Sequence, residues 1–180
     1  MTYSEKNLSA ASPQNILRTK LRTHLHNQRS VSFVRGGQTM NAKLRRISHK
    51  VTLNFWHFEW CTKYRYKMMR KLSNKNLVEA TIRKAAFEHK IKIHELTVLP
   101  EHVHMLTTLP NAMTDSKALQ LLKGRSAYLI FKNKEKYRLR YPQGHFWAPS
   151  SCSVTVGYND VESCRNYIKN QAKHHNVAFV

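Results

Sequence analysis

The pattern of apolar and polar positions divides the 180-residue chain near residue 50. The first fifty residues are polar and basic, with Glu5 as their only acid and Gly36-Gly37 interrupting them. Within them Ile16, Leu17, Leu21 and Leu25 fall near a helical period and predict a short helix from Ile16 to His26. From Val51 the chain turns dense in aromatic and β-forming residues, Thr52-Leu53-Asn54-Phe55-Trp56-His57-Phe58-Glu59-Trp60-Cys61, and predicts a first core strand. Leu77, Val78, Ile82, Ala85 and Ala86 recur at helical spacing between Asn76 and Lys90. Two strands follow, Ile91 to Leu99 and His102 to Leu109, and the Pro100-Glu101 pair between them marks a hairpin. Thr114 or Asp115 is placed to cap a helix through Leu119, Leu122, Ala127, Leu129 and Ile130, in which Gly124 costs about 1 kcal/mol. After a polar passage from Lys132 to Gly144 come two strand-like pieces, His145-Phe146-Trp147 and Ser153 to Val156. A last helix, with Asp160 as N-cap, carries Val161, Cys164, Tyr167, Ile168 and Gln171.

The order strand, helix, strand, strand, helix, strand, helix predicts an α+β fold. It matches the split βαβ, ferredoxin-like arrangement: an antiparallel sheet with helices packed on one face and an added C-terminal helix carrying the tyrosine. The expected organisation is a basic N-terminal extension, residues 1–50, and one catalytic domain, residues 51–180, since a chain of this length is short for two independent cores.

Charge changes the picture from a generic domain to one facing a polyanion. The formal net charge is +21 and the isoelectric point near 10.3, with cations interleaved among aromatics as in Lys63-Tyr64-Arg65-Tyr66-Lys67. Nucleic acid is the commonest intracellular polyanion. Cys61, Cys152 and Cys164 are odd in number and lack CxxC spacing, so free thiols in a reducing compartment are expected rather than disulfides or a cysteine zinc site. The first residues lack the continuous apolar core of a secretory leader and no later stretch is long enough to span a bilayer. A cytoplasmic, nucleoid-associated protein with no membrane partner is expected.

The candidate chemistry starts at His102 and His104. Residues two apart on a strand share a face, so both imidazoles converge and offer half of a metal site or a base with a partner. On its own such a pair is often incidental. Tyr167 and Gln171 change its weight, because positions i and i+4 on a helix present a phenol and an amide together. A phenol, with an ordinary pKa of about 10, needs a metal or base beside it and an activated electrophile such as a metal-bound phosphate. The Gln171 amide oxygen completes a ligand set with open positions. Its hard oxygen favours Mg²⁺ or Mn²⁺ over zinc, and the two imidazoles tilt the choice toward Mn²⁺ or other transition ions. Lys63, Arg65 and Lys67 after the first strand, with Lys123 and Arg125 at the glycine of the second helix, are the candidate phosphate contacts; Tyr64 or Trp147 are candidates to stack unpaired bases. His94 and His145 lack partners in the sequence and read as structural, and His174-His175 reads as part of a polar tail.

The segments Trp60-Cys61-Thr62-Lys63-Tyr64-Arg65, Leu99-Pro100-Glu101-His102-Val103-His104-Met105-Leu106, Leu122-Lys123-Gly124-Arg125-Ser126-Ala127-Tyr128, Gly144-His145-Phe146-Trp147 and Tyr167-Ile168-Lys169-Asn170-Gln171 resemble, in the same order, the single-tyrosine HUH transposases (TnpA-like) of the insertion sequence 200/605 type. The resemblance runs from about Phe55 to Ala172 and leaves the first fifty residues out. It implies that His102, His104 and Gln171 bind a divalent metal and that Tyr167 forms a 5′-phosphotyrosine link to single-stranded DNA, releasing a 3′-hydroxyl. It further implies a homodimer that recognises hairpins at element ends and can draw the tyrosine helix of one subunit into the site of the other. Two alternatives stand beside it: a domesticated nuclease acting on palindromic repeats, and a non-catalytic ferredoxin-like module for RNA or DNA, which needs no histidine pair aligned with Tyr167 and Gln171.

Overall fold

The computed structural model describes residues 31–35, 38–42, 45–47, 50–52, 54–157 and 160–180. The chain divides into two compact units between Leu53 and Asn54. The described part of the first unit is two antiparallel hairpins, β1 (Val31–Arg35) with β2 (Gln38–Ala42) and β3 (Arg45–Ile47) with β4 (Lys50–Thr52). The helix expected from Ile16 to His26 lies outside the described residues. Val51 does not open the core strand as expected: it pairs with Arg46 inside the second hairpin. That pairing is set by a partner upstream, which the apolar run downstream of Val51 does not reveal.

The second unit begins with β5 (Phe55–Thr62). After a 3-10 turn at Lys63–Arg65 come α1 (Leu72–Glu88), β6 (Lys92–Val98), β7 (His102–Thr108) and α2 (Asp115–Asn133). A second 3-10 turn, Glu135–Leu139, leads to β8 (Trp147–Val156), α3 (Val161–Lys169) and the short α4 (Gln171–His174). The sheet order is β6-β7-β5-β8, antiparallel throughout. Because β5 and β6 both run antiparallel to the strand between them, they are parallel to each other with α1 as crossover: the split βαβ arrangement expected.

Strand alternation sorts side chains onto two faces. Phe58 and Trp60 of β5, Leu96 and Val98 of β6, and Val103 and Met105 of β7 meet Val78, Ile82, Ala85 and Ala86 of α1 and Leu119, Leu122 and Ile130 of α2 in one apolar core. Helix α2 starts where expected, with the Thr114 hydroxyl accepting from the Lys117 amide as N-cap. The two pieces expected around Trp147 and Val156 are one ten-residue strand. It is the edge strand of the sheet, a position that tolerates Pro149, and its pairing with β5 shifts register between Trp60 and Thr62.

The opposite sheet face receives the C-terminal helices. The Thr97 hydroxyl donates to the Ile168 carbonyl at 2.8 Å, fastening α3 over β6, and Ile168 is fully buried. The single last helix expected through Gln171 is two: Asn170 ends α3 with its amide bonded to Asn166 and Ile168 carbonyls, and α4 restarts at Gln171. Asn side chains readily bond nearby backbone, and here Asn170 Nδ2 donates to the Asn166 carbonyl, competing with continuation of the helix. Among the described residues no helix is long and apolar enough to cross a membrane.

Candidate active site

Strand β7 carries His102 and His104 on the face away from the main core. The register sets Cys61 opposite His102, Glu59 opposite His104 and, from β6, Thr97 opposite His104. Both histidines are almost fully covered, at 4 % and 3 % exposure. Burial favours a neutral imidazole, and each is held by its Nδ1. For His102 the partner is Glu101 Oε1 at 3.2 Å, and for His104 it is His57 Nε2 at 3.1 Å. A ring held through Nδ1 presents its Nε2 to a ligand, an orientation that partners of metal-bound imidazoles commonly enforce. The His104 pKa is pushed down to about 3 by burial and by the neighbouring His102, His57 and His175. That of His102 is lowered by burial, against the opposing pull of Glu101. At neutral pH both are uncharged, the form a metal requires.

Glu59 adds an acid. Its carboxylate lies 3.9 Å from His104 Nδ1, and ligand atoms of Glu59, His102 and His104 all fall within 4.8 Å of one another. Two imidazoles and a carboxylate make a donor set for a divalent ion with open positions.

Tyr167 stands over this cluster from α3. It is half exposed, and its ring lies edge-on to His104 and to His57, with centroids 6.1 and 6.2 Å apart. The helix of this chain thus covers the histidines of the same chain. Gln171, one turn on, is buried at 1 % exposure, and neither its Oε1 nor its Nε2 has a hydrogen-bond partner. It lies on the stretch of chain between Ile168, bonded to Thr97, and His175, whose ring packs 5.3 Å from that of His102. A buried orphan amide costs about 1–3 kcal/mol and calls for an explanation; a metal ion taking its oxygen is one, and the donor chemistry fits.

The sequence does not point to His57, Glu59 or His175. His57 and Glu59 are legible as a class: they alternate with Phe58 and Trp60 on β5, so they share the face opposite to the apolar one. Which strand that face adjoins is a matter of register, which the sequence does not carry. His175, expected to belong to a polar tail, is instead folded back beside His102 by α4.

The candidate phosphate contacts separate. Lys63 Nζ donates to Gln143 Oε1 at 3.1 Å, and Arg65 and Lys67 are exposed around the turn after β5. Lys123 is tied to the Pro149 and Ser150 carbonyls of β8 at 3.0 and 3.2 Å. Arg125 forks onto Glu88 at 2.6 and 2.9 Å, joining α2 to α1. Trp147 is no stacking platform, being 6 % exposed with its indole N–H donated to Ser126 Oγ. His94, expected to be structural, bonds Thr108 Oγ1 at 2.6 Å.

Comparison with known proteins identifies the family and the fold. The sequence profile of the family described as "Transposase IS200 like" matches residues 50–171. The ISDra2 transposase TnpA of Deinococcus radiodurans is 28% identical over 116 residues, 64% of this chain and 82% of that protein. The transposase for insertion sequence element IS200 of Salmonella typhimurium is 27% identical over 116 residues, 64% of this chain and 75% of that protein. Among solved structures, a Deinococcus radiodurans transposase crystal structure shares the fold at a TM-score of 0.56 and 24% identity, covering 71% of this chain and 98% of that one. A REP-associated tyrosine transposase bound to a REP hairpin shares it at 0.51 and 19%, covering 76% of each chain. With its ferredoxin-like sheet and a match over residues 50–171, this chain belongs to the IS200-like transposases of the insertion sequence 200/605 type, enzymes that cut and rejoin DNA.

Proposed function

We propose that this transposase acts on single-stranded DNA with hairpin ends, using Tyr167 as nucleophile and a divalent ion, Mg²⁺ or Mn²⁺, held by His102, His104, Glu59 and Gln171. The observation that carries the reading is a cluster of two buried imidazoles and a carboxylate, with ligand atoms within 4.8 Å of one another, beneath a half-exposed tyrosine; the buried, unpartnered Gln171 amide follows that tyrosine by four residues.

The ion, when bound, supplies Lewis-acid stabilisation of charge developing on the phosphate oxygens. The chain's own residues do the rest. His57 and Glu101 hold the two imidazoles in one orientation through their Nδ1 atoms. Thr97 anchors α3 through Ile168, which fixes where the phenol stands. The Tyr167 oxygen attacks phosphorus; the bond from phosphorus to the 3′-oxygen breaks as the new one forms. The phenol gives up its proton, and the departing oxygen gains one to become a 3′-hydroxyl. A phosphodiester is exchanged for another, so a later attack by a 3′-hydroxyl rejoins strands without ATP. Tyr167 stands beside histidines of its own chain, which supports a reading in which both halves of the site come from one chain. The homodimer implied by the resemblance then serves to bring two DNA ends together.

The test is cleavage of an end-labelled hairpin oligonucleotide with Mn²⁺. Tyr167→Phe should remove cleavage and covalent adduct, and His102→Ala should lower both by at least about a hundredfold. Unchanged cleavage by His102→Ala would refute the metal site.

A further inference from the structure

Beside the site stands a feature that the reaction leaves unused. Immediately after β5, Tyr64 and Arg65 both adopt left-handed backbone, at φ 62° and 51°, a conformation uncommon for any side chain-bearing residue and rarer for two in a row. The turn is fixed on all sides. Thr62 Oγ1 donates to the Tyr66 carbonyl at 2.7 Å and lies 3.2 Å from the Glu101 carbonyl. The Thr62 amide also bonds Glu101, and the Lys63 amide bonds Phe146. Strain that the surroundings over-determine concentrates at functional positions. Here it holds out a ring: Tyr64 is 66 % exposed.

That ring tops a ladder of aromatics. Tyr64 and Tyr66 have centroids 5.5 Å apart, and Tyr66 and the buried Tyr141 5.8 Å. Cations flank the ladder: Lys63 Nζ lies 5.2 Å from the Tyr64 centroid, the Arg140 guanidinium 4.0 Å from that of Tyr66, and Arg65 is exposed. Thr62, two residues before Tyr64, bonds the residue that precedes His102, so the ladder adjoins the candidate active site. An exposed flat ring set among cations matches an unpaired nucleobase with its phosphates, whereas a duplex keeps its base faces stacked away.

Resting on the single-strand reading above, we propose that Tyr64 is a stacking platform for an unpaired base of the DNA flanking the scissile phosphate, with Lys63 and Arg65 at the adjoining phosphates. Tyr64 is a positioning residue: it touches the strand, away from the reacting atoms.

The experiment uses the full chain in EDTA, so that binding is read without cleavage, and compares a single-stranded deoxythymidine oligonucleotide with an abasic strand of equal length and charge. Wild type should prefer the strand with bases, and Tyr64→Leu should weaken binding to it by about 5- to 150-fold while leaving the abasic strand and the salt dependence unchanged. Tyr64→Trp should restore the preference. Tyr64→Gly, which suits the left-handed backbone, should melt no lower than wild type yet bind like Tyr64→Leu; a purely structural tyrosine would not separate stability from binding in this way. Equal binding of the base-bearing strand by wild type and Tyr64→Leu would overturn the platform. A wild type that binds duplex as well as single strand would instead overturn the single-strand reading on which it rests.

Discussion

At Gln171 stability and function pull apart. Its side-chain amide is buried without a partner, so replacing it by an apolar residue of similar shape removes a desolvation cost and no hydrogen bond. Gln171→Met should raise the stability of the metal-free protein by about 1–3 kcal/mol in urea denaturation, and should weaken Mn²⁺ binding in titration calorimetry. Loss of stability in Gln171→Met would mean that the amide has a structural partner. His94 gives a pH signature away from the metal cluster. Burial, with Lys92 and Arg165 nearby, lowers its pKa from 6.5 to about 4. The unfolded chain then binds the proton more readily than the fold does. Stability from this neutral histidine is full above about pH 6.5 and is lost as pH falls toward about 4. Its share is bounded by about 1.4 kcal/mol per pH unit, one proton's worth. His104, depressed to about 3, has the same sign. In chelator, His94→Gln should show a shallower loss of stability between pH 6.5 and 4 than wild type; an unchanged slope would contradict the assignment.

At the scale of elements, α1, α2 and the β6–β7 hairpin are legible in the sequence because their apolar spacing is unambiguous. Thr114 marks the start of α2 and Pro100-Glu101 marks the turn. Strand β8 is legible only in pieces, since an edge strand exposed from Ser150 to Cys152 shows no clean alternation. The break at Asn170 is invisible to periodicity, because helical spacing from Val161 to Gln171 is the same whether or not the backbone continues. Gly124 is a weak point within a helix, as its lack of a side chain predicts. A Cβ added there meets nothing within 4 Å, so Gly124→Ala should stabilise the fold by about 1 kcal/mol, measured by thermal or urea unfolding. Gly124 also borders a groove of about 790 Å³ between α2 and the β8 edge, lined by Lys123, Tyr128, Arg138 and His145. Weakened DNA binding by Gly124→Ala, with stability raised, would mark that groove as a place of close phosphate approach.

At the scale of the molecule, the candidate site is half visible in the sequence. His102 and His104 announce themselves by a spacing of two, and Tyr167 with Gln171 by a spacing of four, because both periods are local. His57 and Glu59 join them through the β5–β7 register, and His175 through the fold of α4, neither of which any local pattern encodes. The charge of +21 is shared between the site-bearing unit and the first fifty residues, whose only acid is Glu5. Deleting residues 1–53 should therefore reduce the slope of log affinity against log salt for single-stranded DNA, by about 0.7 for each phosphate that the extension neutralises, while hairpin cleavage persists. An unchanged slope would assign the electrostatic binding to residues 54–180 alone.

The most direct measurement is the chemical identity of the covalent product. Wild-type protein incubated with a hairpin oligonucleotide and Mn²⁺, then digested with nuclease and trypsin, should yield the peptide Asn166–Lys169 carrying a nucleotide on Tyr167, with a free 3′-hydroxyl on the released strand. Absence of any adduct during cleavage, or an adduct on another residue that survives in Tyr167→Phe, would contradict the account.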